Sequence, residues 1–201
     1  VTLRFDAVPD ADRLQVEAVV DAPQGGLVDS YAGLGKAMTY RLGGRGDWTT
    51  WNGRLSGTIG GAPAADLTIA ARDGRFRVAG PVVPGLVLAG PVERLTAPRL
   101  NLALDATLGE RSADMTFTAR SAALAVHAAG LIDLGRSRLG NVRVDAQLLQ
   151  AGVIAPNVSG RNIRASAVLD GAFAAPSIAY RISATRAAFG TMAIEGLLAE
   201  G

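Results

Sequence analysis

The feature that most constrains this chain is a period of two that recurs from one end to the other. It is clearest in residues 65–81, ADLTIAARDGRFRVAGP, where two short alternating runs, 67–71 and 75–79, flank Asp73-Gly74. Asp-Gly between alternating apolar runs is the strongest short-range signal for a tight β-hairpin, because a type I′ turn needs φ > 0 at both central positions. On the second arm Phe76, Val78 and Gly80 point one way, and Arg75, Arg77 and Ala79 the other. One face is apolar and the opposite face is polar.

The same grammar runs along the chain. In Thr2–Val8, Leu3, Phe5 and Ala7 alternate with Thr2, Arg4 and Asp6; after a turn at Pro9-Asp10, Arg13–Ala22 alternates again with Leu14, Val16, Ala18 and Val20 inward. Met38, Tyr40 and Leu42 follow the same rule. Beyond the hairpin come Leu86-Val87-Leu88, then Leu100, Leu102, Leu104, Ala106 and Leu108 on one side of a run. Next are Met115 with Phe117, Leu124 with Val126, and Val142 with Val144. Ile163 opens another run, Ile178, Tyr180 and Ile182 a further one, and Met192 and Ile194 the last. About a dozen strands emerge, separated by Gly, Pro, Asp and Asn breaks. Residues 27–36 alone change period, with Leu27, Tyr31 and Leu34 at helical spacing, which predicts one short amphipathic helix. No long helices alternate with the strands, so a βαβ architecture is excluded and the pairing is expected to be antiparallel.

Apolar residues make up 49% of the 201 residues but aromatics only 5%, so bulky core anchors are few. Nineteen of the twenty basic residues are Arg, with Lys36 the one lysine, and they are scattered rather than gathered into a patch, which argues against a nucleic-acid partner. Cysteine is absent, removing disulfides and thiolate metal sites, and no apolar run approaches the ~20 residues of a transmembrane helix. The chain begins at Val1 already inside an alternating run and ends in the same pattern, which reads as a piece of a longer protein carrying any targeting segment elsewhere.

Signs of catalysis are weak. His127 is the one histidine and lies on the polar side of its strand, while Asp6, Asp66, Asp105, Asp114 and Asp145 are spread one per strand on outward faces rather than paired. No catalytic residue, metal site or cofactor is expected. Gly33-Leu34-Gly35-Lys36 fails as a phosphate loop, because Ser30 replaces the first glycine and Ala37 the Ser/Thr. Arg45-Gly46-Asp47 belongs to a hairpin lead-in, and Trp48 and Trp51 are expected to cover a sheet edge or pack the helix at Tyr31 and Leu34.

A dozen such strands could close as a barrel, stack as a sandwich, or continue as one sheet. Outward faces rich in Arg, Asp, Thr and Ser argue against a lipid-exposed barrel, and apolar inward faces argue against a water-filled lumen. Residues 44–51 (GRGDWTTW), then Gly53-Arg54-Leu55, then residues 65–79 with Asp73-Gly74 and Phe76, resemble the repeating hairpin unit of the TamB/AsmA-like bacterial envelope proteins. The resemblance is clearest over residues 25–80 and compositional beyond them. It implies a long, curved, taco-like single sheet with a continuous hydrophobic groove, periplasmic and held to the inner membrane by a segment outside this chain. It also implies a non-enzymatic role in conducting phospholipid between membranes or in assisting an outer-membrane β-barrel assembly protein. On that reading the acyl chains would meet Phe76, Val78, Leu100, Leu102, Leu104, Met115, Phe117, Leu124, Val126, Val142, Val144, Ile163, Ile178, Tyr180, Ile182, Met192 and Ile194. The alternative is a structural or adhesive β-sandwich whose apolar face is closed by a second sheet. A carbohydrate-active enzyme on a β-scaffold would lack its acid pair and aromatic platform.

Overall fold

The computed structural model describes residues 2–8, 12–26, 33–155 and 157–201. Alternation dictates the outcome: the chain forms fourteen strands in one sheet. In order these are β1 (Thr2–Val8), β2 (Arg13–Ala22), β3 (Met38–Gly46), β4 (Thr50–Ile59), β5 (Ala62–Arg72), β6 (Arg75–Val82), β7 (Leu100–Leu108), β8 (Ser112–Arg120), β9 (Leu124–Asp133), β10 (Arg138–Leu148), β11 (Val158–Arg161), β12 (Ile163–Ala172), β13 (Ser177–Phe189) and β14 (Met192–Glu200). Neighbours in sequence are neighbours in space from β1 to β10, and every pairing is antiparallel. β11 and β12 lie end to end along one side of β13, and β14 lies along the other. Thirteen strand positions therefore stand side by side in an open sheet that does not close into a barrel.

The Asp73-Gly74 hairpin forms as its chemistry requires. Asp73 and Gly74 have φ of 49° and 75°, and β5 and β6 pair from Arg72↔Arg75 onward. Register shifts between Gly57 and Thr58, and around residues 140–142 of β10, add bulges that bend the sheet.

One sequence expectation is corrected, and another lies mostly outside the described residues. The helix expected over 27–36 falls largely on residues outside those described, and Gly33 to Lys36 form turns and bends rather than helix. A helix that the sequence did not signal, α1 (Pro91–Thr96), lies inside the β6–β7 connection, with Pro91 at its first position, where a missing N–H costs nothing. Leu86-Val87-Leu88 is not a strand: Pro84–Leu86 makes a 3₁₀ turn in the same connection. Both pieces pack along one rim of the sheet. There Arg94 donates through Nε to the Val153 carbonyl at 2.9 Å and through Nη2 to that of Ile154 at 2.5 Å, while Ser121 Oγ donates to the Leu95 carbonyl. A small cluster of Ala22, Met38, Ile59 and Ala64, flanked by Leu34, Tyr40 and Leu86, is buried at the same rim. No large side chain among the described residues is fully buried.

Candidate functional site

Residues directly opposite in an antiparallel pair put their side chains on the same face, so the register itself maps the wall. One rung crosses eleven strands: Val16, Gly44, Gly53, Ile69, Val78, Leu104, Phe117, Ala128, Val144, Ala167 and Tyr180 are paired in succession from β2 to β13. Every member is apolar or glycine. On one side of it runs Leu102, Ala119, Val126, Ala146, Ala165, Ile182 and Ala199; on the other, Phe76, Ala106, Met115 and Gly130. Leu124 and Ile163 meet through Leu148, Val142 and Ile178 through Leu169, and Leu100 sits opposite Val82.

The last two predicted positions, Met192 and Ile194, would fall on the wrong face if alternation ran unbroken to the end. It does not. Asn162 and Gly196 both adopt left-handed backbone, at φ 54° and 64°, on either side of Thr185, and the Asn162 amide donates to Thr185 Oγ1 at 3.0 Å. Across this level the alternation reverses: Ile163 Cδ1 lies 2.6 Å from where a Cβ on Gly160 would stand, so Gly160 and Ile163 share a face. Gly160 pairs with Ala187, and Ala187 with Ile194. Ile194 therefore returns to the apolar side, with Met192 two residues away. The structure brings all seventeen predicted positions onto one face.

No second layer lies over that face among the described residues, since all the strands belong to one sheet. Ile178, Tyr180 and Ile194 remain 56%, 47% and 56% exposed, too open for a closed sandwich core. Leu102, Leu104, Phe117, Val126 and Val144 are half-buried, shaded by their neighbours and by the curl of the sheet.

The opposite face carries cross-strand ion pairs: Arg54–Asp66 at 2.6 Å, Arg77–Asp105 at 3.2 Å, Arg138–Asp170 at 3.2 Å, Arg181–Glu200 at 3.0 Å and Arg186–Glu195 at 3.4 Å. The bidentate Arg54 guanidinium holds the Asp66 carboxyl below its ordinary range. All are solvent-exposed, where such pairs contribute little to stability. His127 is exposed and opposite Thr118 and Asp145. Among the described residues no three His, Asp or Glu side chains converge as a metal site would require, and no helix is long and apolar enough to cross a membrane.

Of the two placements expected for the tryptophans, the contact with Leu34 is not made, and Tyr31 lies outside the described residues. Trp48 and Trp51 stand at the rim opposite the one that buries Leu34. The Trp51 indole lies over the paired glycines Gly44 and Gly53, and its Nε1–H is buried with no hydrogen-bond partner among the described residues. This contact was missed in the sequence, although the Gly-rich run 43–46 ahead of Trp51 carries its signal: bare backbone beside an aromatic. Trp48 is half-exposed in the β3–β4 turn, where Asp47 accepts from Thr49 and Thr50.

No protein-family model, curated protein or solved structure matches this chain.

Proposed function

We propose that the chain is a non-enzymatic segment of a bridge between the inner and outer membranes, in the manner of the TamB/AsmA-like proteins it resembles. In this role its apolar wall shields phospholipid acyl chains from water, or presents that surface to an outer-membrane β-barrel assembly protein. The observation that carries this reading is the rung from Val16 to Tyr180, apolar at every step and uncovered. Burying a sixteen-carbon chain from water gains about 13 kcal/mol at ~0.8 kcal/mol per CH₂, but exchange with an equally apolar bilayer is close to neutral. Such a wall protects a chain without trapping it, as a conduit must. At ~4.8 Å between neighbours, thirteen strand positions extend roughly 58 Å. The charged outer face would keep such a bridge soluble in an aqueous compartment such as the periplasm.

Photocrosslinking residues at Leu102 and Val144, introduced into the protein in cells, test the reading. Lipid adducts at both, with none at outer-face Thr116, are expected; adducts at neither would overturn it.

A further inference from the structure

On the polar face, strands β9, β10, β12 and β13 frame a shallow depression of about 410 Å³, within the range of small-molecule sites. The register sets its plan. One rung carries His127, Asp145, Ser166 and Arg181, and the next carries Ala125, Gln147, Arg164 and Ser183. Ala125 keeps the floor low at one end, and Gln147, Ser166 and Ser183 are half-buried. Arg181 is neutralised by Glu200 at 3.0 Å. Arg164 and Asp145 are not neutralised, although their register invites it. Arg164 is paired with Gln147, and Asp145 lies two residues before Gln147. The same offset joins Arg54 to Asp66 and Arg138 to Asp170 in closed ion pairs. Here both charges stay exposed, and neither bonds another side chain among the described residues. The depression thus holds an uncommitted guanidinium and an uncommitted carboxylate, surrounded by hydroxyl and amide groups.

We propose that this depression binds a small acidic saccharide, its carboxylate or phosphate on Arg164 and its hydroxyls on Asp145, Gln147, Ser166 and Ser183. The ligand chemistry follows from the two open charges standing together. A bare anion would gain Arg164 but meet the like charge of Asp145, and a neutral sugar would leave Arg164 unused. A polyol acid satisfies both, because a carboxylate accepts from hydroxyls while a planar guanidinium forks onto an oxyanion. Hydroxyl and amide side chains, which donate and accept at once, also suit ring hydroxyls better than an ammonium, which only donates. No aromatic ring lines the depression as a stacking platform. Binding therefore rests on hydrogen bonds and charge, with a Kd on the order of 1 mM. The site lies on the face opposite the apolar wall, and its ligand is independent of what the wall carries.

The molecule carries its own reporter, because His127 is its single histidine and lines the depression. Its imidazole C–H resonance is followed by NMR, at fixed pH and ionic strength, during titration with glucuronate, glucose 6-phosphate, glucose, inorganic phosphate and phosphoethanolamine. A saturable shift is expected from glucuronate, glucose 6-phosphate or both, with glucose and inorganic phosphate about tenfold weaker or more. Arg164→Gln should weaken the acidic sugars about three- to tenfold and leave glucose unchanged. Asp145→Asn should weaken the sugars but strengthen inorganic phosphate, since it removes the like charge. Both positions are exposed on the polar face, so far-ultraviolet circular dichroism should be unaltered in either variant. Inorganic phosphate binding as tightly as glucose 6-phosphate overturns the saccharide and leaves an ion site. Phosphoethanolamine binding more tightly than either acidic sugar overturns it in favour of a zwitterion. No saturable shift with any of the five removes the site.

Discussion

The indole of Trp51 fills the space that a side chain on Gly53 would need: a Cβ built there would stand 2.3 Å from Cη2 of the ring. Gly44, directly across the ladder, is covered by the same ring at 2.0 Å. The aromatic thus restores packing where two paired glycines leave bare backbone. Gly53→Ala should destabilise the protein by about 1–3 kcal/mol through overcrowding, and should shift the tryptophan emission to the red as the ring lifts. Urea unfolding followed by fluorescence reads both effects. Combined with Gly44→Ala the loss should fall short of the sum, because both changes displace one ring.

A wall that is open tolerates what a core does not. In a closed interior an unpaired carboxylate costs several kcal/mol and unfolds a marginal domain. Leu104 and Val144 are half-buried on an uncovered face, so Leu104→Asp and Val144→Asp can keep the new charge hydrated. Each should cost about 1–1.5 kcal/mol, roughly half the value of a fully buried aliphatic side chain, and leave the far-ultraviolet circular dichroism of the sheet intact. Binding of a solvatochromic dye should fall in both. Global unfolding of both variants would mean that something covers the wall.

The β3–β4 turn should loosen in acid. Asp47 has its pKa lowered first by the Thr49 hydroxyl, then by the backbone N–H groups of Thr50 and Thr49. A folded value below the unfolded one means that the stabilisation is complete above the unfolded carboxylate pKa, and is lost as pH falls through the folded value. The Thr49 and Thr50 amide resonances should titrate with a midpoint below that of an ordinary aspartate. Asp47→Asn should abolish that titration. Asp66 moves in the same direction, through Arg54.

Asn162 holds left-handed backbone at φ 54° while its side chain reaches Thr185. A β-branched residue pays roughly 1–2 kcal/mol for that conformation, so Asn162→Val should lower stability by at least that amount in urea denaturation. Asn162→Gly keeps the conformation accessible and should cost only what the lost side-chain hydrogen bond supplied, about 1 kcal/mol.

Much of this architecture was legible because its causes are local. Asp73-Gly74 specifies its turn within two residues, and alternation assigns Leu100, Leu102 and Leu104 to one face without reference to any neighbour. What escaped is non-local or short. The β6–β7 connection holds only a 3₁₀ turn and six helical residues, too few for a 3.6-residue period to stand out, though Pro91 marks the start. The apolar triplet 86–88 imitated a strand, because three residues cannot distinguish one period from another. The covering of Gly44 and Gly53 by Trp51 depends on a register fixed only once β3 and β4 have paired.

The reversal at Asn162, Thr185 and Gly196 makes the free side of β14 selective. On one half of that edge Leu197 and Ala199 face the wall, and on the other Met192 and Ile194 do, so the two halves are out of phase by one residue. A strand with uninterrupted odd–even lettering could match either half but never both, and would turn its grease to water along the remainder. Only a newcomer bearing its own glycine- or asparagine-like break at the matching height could lengthen the surface without a seam.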